Sequence, residues 1–351
     1  MYTYVLYFTL IALSPLLYRN SLLNRNNHLR KIYCAIITVF LVCISGLRSI
    51  SVGIDTEMYQ AIWNYQIAGD FERAITYNES ESPTYVLMCF FKYVLNYNGF
   101  LFVIAILTIT PICYVIYKYS KICFFSFLIY YSSIYFHTLE FAAMRQSVAF
   151  GFAILSFHFA QQKQLYKYLI FLIIAILFHH SAIVFLPCYW LVKLKLNRHF
   201  MTLWTVTLII SFVVGKILFD YLNLFSRIDY SESDQEAGGE RLFFLMLILV
   251  IIGFINYKVI NKHNYISAPF ILFSISLLLR PLLVGNPALS RLQYYNDFFM
   301  CLFVPNIVYY LPKRNVARLS YITIVLFYSI YVVLVMRQVP AYYPYFFFWE
   351  H

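Results

Sequence analysis

The stretch GLRSISVGIDTEMYQ, residues 46–60, decides how the chain is read. It begins as the tail of an apolar helix. Within a few positions it then places an Arg, an Asp and a Glu between two Gly and a Tyr. The surrounding chain is 62% hydrophobic and 12% charged, with mean hydropathy +0.71. Apolar runs near the roughly 20 residues that cross a bilayer recur from end to end. The short alternating segments of a barrel are absent. These features predict an all-α polytopic membrane protein in which 1–351 form a single transmembrane domain. Residues 46–60 then mark a point where the chain leaves the membrane.

The first apolar run, 2–18, lacks a basic n-region and is soon followed by another span, so it reads as a retained signal anchor. The seven Cys all lie in apolar stretches with no CxxC or Cys/His spacing. They read as small buried hydrophobes. The net charge of +11 invites a nucleic-acid partner, but its distribution excludes one. Six short segments (19–31, 118–121, 163–167, 193–198, 258–262 and 313–318) hold 16 of the 26 Lys and Arg and none of the acids. Short basic connections stay in the cytoplasm. The excess charge is a topology signal and meets anionic lipid headgroups.

Two polar loops, 48–82 and 223–241, carry most of the acids and belong on the opposite, periplasmic side. Counting from these anchors gives spans near 2–18, 32–47, 99–117, 122–137, 142–160, 165–178, 180–192, 201–222, 242–260, 265–283, 293–311 and 317–336. The expectation is about 12 transmembrane helices. Residues 83–97 are apolar but hold Lys92 and Asn96, and the crossing count leaves them no span. They read as a re-entrant or interfacial helix, tolerated where protein covers the irregular backbone.

The remaining cations gather toward the outer half, together with Glu140, Asp220 and Asp297. Charges inside spans cost at least ~2.5 kcal/mol each at the bilayer centre, which makes them functional candidates. Arg145, Arg291, Arg48 and Arg280 suit a phosphate or diphosphate, because the guanidinium fork binds its oxygens bidentately. Asp55, Glu81 and His179 could supply a base for a hydroxyl. Arg73, Arg227 and Arg337 read as solvated or snorkelling. Lys216 and Asp220, four apart, read as a pair on one helix face.

Arg48-x4-Gly53-x-Asp55-x3-Tyr59, followed by Glu81-Ser-Pro-Thr-Tyr85, resembles the first outer loop of bacterial O-antigen and exopolysaccharide polymerases, the Wzy proteins of the EpsG-like branch. Met144-Arg145-Gln146-Ser-Val-Ala149 resembles that family's Arg-Gln helix, and Leu177-Phe178-His179-His180-Ser181-Ala182 its Phe-His-x-Ser segment. Ser290-Arg291-Leu-Gln-Tyr294-Tyr295 is similar to its late Arg-Tyr element. His180 departs from the residue usual there. The resemblance implies a GT-C-like membrane glycosyltransferase of the inner membrane, with its site toward the periplasm. Such an enzyme transfers a growing chain from one undecaprenyl diphosphate to the non-reducing-end sugar of a second lipid-linked repeat unit. It implies undecaprenyl-diphosphate-linked glycans as donor and acceptor, a chain-length regulator of the polysaccharide co-polymerase type as partner, and substrate contacts from Tyr59, Gln146, Tyr294 and Tyr295. No cofactor or metal is expected: there is no DxD, Walker or GxGxxG motif. Rival readings are an O-antigen ligase, which shares the chemistry, and a lipid-linked oligosaccharide flippase, which would favour paired repeats and midplane charges.

Overall fold

Asn26 starts the first long helix, α1 (Asn27–Gly46): its side-chain oxygen accepts from the His28 and Leu29 amides at 2.9 and 3.4 Å. Those donors have no partner within the helix, so the cap stabilises it. Asp70 does the same for α3 (Phe71–Tyr77), and Asn96 accepts from the Gly99 amide at 2.8 Å to open α5 (Tyr97–Tyr119). Between them lie α2 (Thr56–Ala61), a π-turn over Ile62–Gln66, and α4 (Pro83–Lys92) with Pro at its first position. The computed structural model describes residues 26–67, 69–78, 81–225, 236–283, 291–311 and 345–350. The spans expected at 2–18 and 317–336 lie outside them, as does the side chain of Asp220 and with it the expected pairing with Lys216.

The chain continues through α6 (Cys123–Ser132), α7 (Ile134–Phe141), α8 (Met144–Gln161) and α9 (Leu165–Phe178). A 3-10 segment over His180–Phe185 leads to α10 (Cys188–Leu191). Then come α11 (Arg198–Phe225), α12 (Glu236–Ile255), α13 (Tyr257–Asn261), α14 (Asn264–Leu283), a 3-10 turn over Arg291–Gln293, α15 (Tyr294–Asp297) and α16 (Met300–Tyr310). No β-sheet occurs among the described residues; one isolated bridge joins Arg48 to Phe347. Helix α5 packs on α1 and α8, α8 on α9, and α14 on α11 and α16. Two contacts need glycine. A Cβ at Gly151 would lie 2.8 Å from the Thr108 carbonyl oxygen, and one at Gly215 would lie 2.0 Å from that of Pro281. Small residues of this kind let helix backbones approach closely inside a membrane.

Among the described residues four helices are long and apolar enough to cross a bilayer: Asn27–Gly46, Tyr97–Tyr119, Arg198–Ile217 and Asn264–Leu283. Several other expected spans are broken. The run 122–137 splits at Ser133, which sits in extended conformation while Ser132 bonds back to the Leu128 carbonyl at 2.6 Å. Serine hydroxyls compete with the helix ladder in this way. Pro187, lacking an N–H, parts the two halves of 180–192. The run 242–260 breaks at Asn256, and 293–311 is a 3-10 turn followed by two short helices. The expected loop 223–241 is shorter than read, because α11 runs to Phe225 and α12 begins at Glu236.

Residues 83–97, expected as a re-entrant or interfacial helix, form the short helix α4 and the cap of α5. Ten residues of α4 reach about 15 Å, half of a ~30 Å hydrocarbon layer. Lys92 ends the helix, with its ammonium donating to the Trp63 carbonyl and lying 5.9 Å from the Trp63 ring centre. Phe90, Tyr93 and Val94 face outward from the protein.

Polar contacts sort to the two ends of the bundle. At one end Arg30 donates to the Tyr117 and Ser120 carbonyls. Asn306 there accepts from the Lys121 amide at 2.7 Å and donates to the Tyr119 and Tyr265 carbonyls. The described basic connections 118–121, 163–167, 193–198 and 258–262 meet at this end. The first loop, the starts of α5 and α8 and the end of α14 lie at the other.

The stretch 46–60 folds against that second end. Gly53 has φ +109°, and a Cβ there would lie 1.7 Å from the Phe141 carbonyl oxygen. Both the left-handed backbone and the close approach exclude a side chain. Gly53→Ala is expected to lower the amount of folded protein recovered from membranes severalfold, read by fluorescence-detected size exclusion, whereas Ser51→Ala leaves it unchanged.

Candidate active site

Five segments distant in sequence meet at the end of the bundle that carries the first loop. Arg145 stands in the first turn of α8, at its N-terminal end. There it avoids the cost of a charge at mid-bilayer, and the positive end of the helix dipole adds to its field. One guanidinium nitrogen donates to Glu81 Oε2 at 2.6 Å, and Nε donates to the Tyr59 hydroxyl at 3.3 Å. Its carbon lies 5.9 Å from the Tyr85 ring centre.

Glu81 bridges two segments. Its other oxygen accepts the His180 amide at 3.0 Å, with the His180 and His179 Nδ1 atoms at 3.6 and 3.9 Å. Both carboxylate oxygens are thus engaged. His179 Nδ1 accepts the Ser181 amide at 3.2 Å. A neutral imidazole in that position carries its proton on Nε2 and so presents a donor, with no free base nitrogen. Burial, opposed by Glu81 and reinforced by Arg145, holds the His179 pKa below the usual histidine range. The ring is neutral at neutral pH. Burial also raises the Tyr59 hydroxyl, and raises that of Tyr85 to about 12, against the lowering effect of Arg145. Both stay protonated.

The late segment closes the site. The Ser181 hydroxyl lies 2.9 Å from that of Tyr295, and Gln146 Nε2 donates to the Arg291 carbonyl at 3.2 Å. Arg280 pairs with Asp297 at 2.7 Å, side chains 12% and 7% exposed, and Ser276 donates to the second Asp297 oxygen. Losing one partner of such a buried pair costs about 3–5 kcal/mol, so Arg280 is fixed where it stands. The Arg291 guanidinium, half-buried, has no ion-pair or hydrogen-bond partner among the described residues.

Several expected site residues are braces. Arg48 is 4% exposed. It donates to the Ser45 carbonyl, lies 5.9 Å from the Phe141 ring centre, and is bridged by its backbone to Phe347. A bound diphosphate could reach it only by displacing the C-terminal segment. Tyr59, Gln146 and Tyr295 are all under 4% exposed; Tyr59 and Gln146 hold Arg145 and Arg291, and Tyr295 holds Ser181. Tyr294 is half-buried beside Arg291. Asp55 is half-buried, one turn before Tyr59 on the same face of α2, and its carboxylate caps no amide. Tyr85, Ser181 and Asp297 join the constellation without having been singled out as site residues. Tyr85 and Ser181 stood inside the quoted motifs, and Asp297 beside one of them.

The cluster therefore sets three guanidinium groups against two engaged carboxylates and a neutral His179. It can receive an anion at Arg291 and Arg145 and, at Asp55, offer a carboxylate that accepts a proton. No curated protein and no solved structure matches the chain. The family model described as the EpsG family matches residues 31–347, a stretch that includes every segment of the site, and the chain belongs to that family.

Proposed function

We propose that this chain polymerises lipid-diphosphate-linked oligosaccharide repeat units into a surface polysaccharide. EpsG membership supports a membrane polysaccharide polymerase of the glycosyltransferase kind. The finer reading is that the donor is linked to undecaprenyl diphosphate and that the site faces the periplasm of an inner membrane. One observation carries it: Arg291, which has no ion pair among the described residues, and Arg145 both lie close enough to His179 to act on its charge, at the end of the bundle that carries the first loop.

In this reading the hydroxyl of the acceptor's terminal sugar attacks the anomeric carbon of the donor. The bond to the diphosphate breaks and polyprenyl diphosphate leaves. Arg291 and Arg145 stabilise the charge that develops on the leaving group; Tyr59 and Glu81 already orient Arg145, and Gln146 holds the backbone of Arg291. Asp55 takes the proton of the attacking hydroxyl. Glu81 positions Arg145 and the His179–Ser181 turn. His179 donates Nε2–H to a substrate oxygen, and Tyr294 contacts the sugar. Arg280, held by Asp297, contributes field at longer range. A co-polymerase that sets chain length remains the expected partner.

A gel of surface glycans from cells lacking the gene separates this reading from a ligase. The polymerase reading predicts single repeat units on the acceptor. Loss of all repeats would favour a ligase, and an unchanged ladder would refute both.

A further inference from the structure

Beyond Ser181 the helical wall of the bundle is incomplete. His180–Phe185 is a 3-10 segment and Cys188–Leu191 a single turn, parted by Pro187. Helix α14 runs opposite. The gap between them is a cavity of about 330 Å³ lined by Ile183, Leu186, Leu272, Ile275, Leu279 and Asn296, with Pro187 at the break. Its lining is apolar but for that one amide among the described residues. Ile183 and Leu186 are 58% and 41% exposed and open it to the surroundings of the bundle.

The groove adjoins the cationic site: the 3-10 turn Arg291–Gln293 packs on both of its walls, the His180–Phe185 segment and α14. A slot with aliphatic walls beside an Arg-bearing turn fits an amphiphile with an anionic head and one narrow chain. Its volume is at the small end of ligand pockets, about 300–1,000 Å³. It suits the first units of a long chain whose remainder stays in the bilayer.

We propose that this groove seats the first isoprene units of a single polyprenyl chain and so aims its diphosphate at Arg291. The proposal rests on the polymerase reading. A chain already dissolved in lipid gains little by moving from one apolar medium to another, so close packing is what the groove adds. Its role is orientation: it fixes where the scissile bond lies relative to Asp55.

The test uses the full chain in nanodiscs with farnesyl diphosphate that carries a diazirine on its second isoprene unit. Cross-links should map to 183–191 and 272–279. Ile275→Trp, which fills the groove, should remove most of them. Ile183→Trp at the exposed mouth is a second variant that the fold tolerates, and it should act the same way. Protection of Arg291 from phenylglyoxal by inorganic diphosphate should be unchanged in both. Excess phosphatidylglycerol should not displace the probe. Labelling elsewhere, labelling unaltered by the two variants, or displacement by phosphatidylglycerol would overturn the groove. If wild-type protein still makes polymer in any of those cases, the polymerase reading survives. Groove labelling with no polymer would uphold the groove and overturn that reading instead.

Discussion

Arg291→Ala is expected to abolish long chains while leaving the protein in the membrane at wild-type level. Of the three cations at the site, Arg145 is held by Glu81 at 2.6 Å and Arg280 by Asp297 at 2.7 Å. Arg291 accepts from Gln146 through its backbone carbonyl, and among the described residues its side chain has no partner. Removing it breaks no ion pair among the described residues, so folding is spared. It removes the charge best able to meet a departing diphosphate. A single preorganised donor to developing negative charge is worth about 10²–10³ in rate. Arg291→Lys keeps the charge but loses the planar fork, and it should recover part of the activity. Chain-length ladders normalised to membrane-embedded protein give the readout. A normal ladder from Arg291→Ala would remove Arg291 from the site.

Asp55→Asn should cost about 10²–10⁴ in turnover, the usual worth of a general base. Three candidates for that role follow from the residues, and the geometry divides them. Glu81 has both oxygens occupied, by Arg145 and by the His180 amide. His179 turns its proton-accepting nitrogen toward the Ser181 amide. Asp55 has neither constraint. A second comparison separates them further. His179→Asn preserves an acceptor for the Ser181 amide and should keep far more turnover than Asp55→Asn. The reverse pattern would make His179 the base.

The helical class and the separation of charge to two ends were legible in the sequence, because both follow from composition along the chain. A break within 83–97 was legible too: Lys92 and Asn96 end one helix and cap the next. The burial of Arg48 was not. It depends on a C-terminal segment about 300 positions away, where the Tyr345 hydroxyl reaches the Ile44 carbonyl. Position within a motif says nothing of such a strap. The breaks at Ser133 and Asn256 were hidden for a different reason. Hydropathy counts apolar residues and is blind to a side chain that bonds its own backbone. Glu81 was read as a candidate base; one of its oxygens is taken by Arg145 and the other by the His180 backbone amide, a partner no motif records.

The central claim is that guanidinium groups at one end of a helical bundle stabilise a departing lipid diphosphate. Its most direct test is reconstitution of the purified chain with lipid-linked repeat units alone. The account predicts a ladder of longer glycans on lipid and one polyprenyl diphosphate released for each new bond, with no nucleotide sugar present. Chain growth that occurs only when a nucleotide sugar is added, or without release of polyprenyl diphosphate, would contradict it.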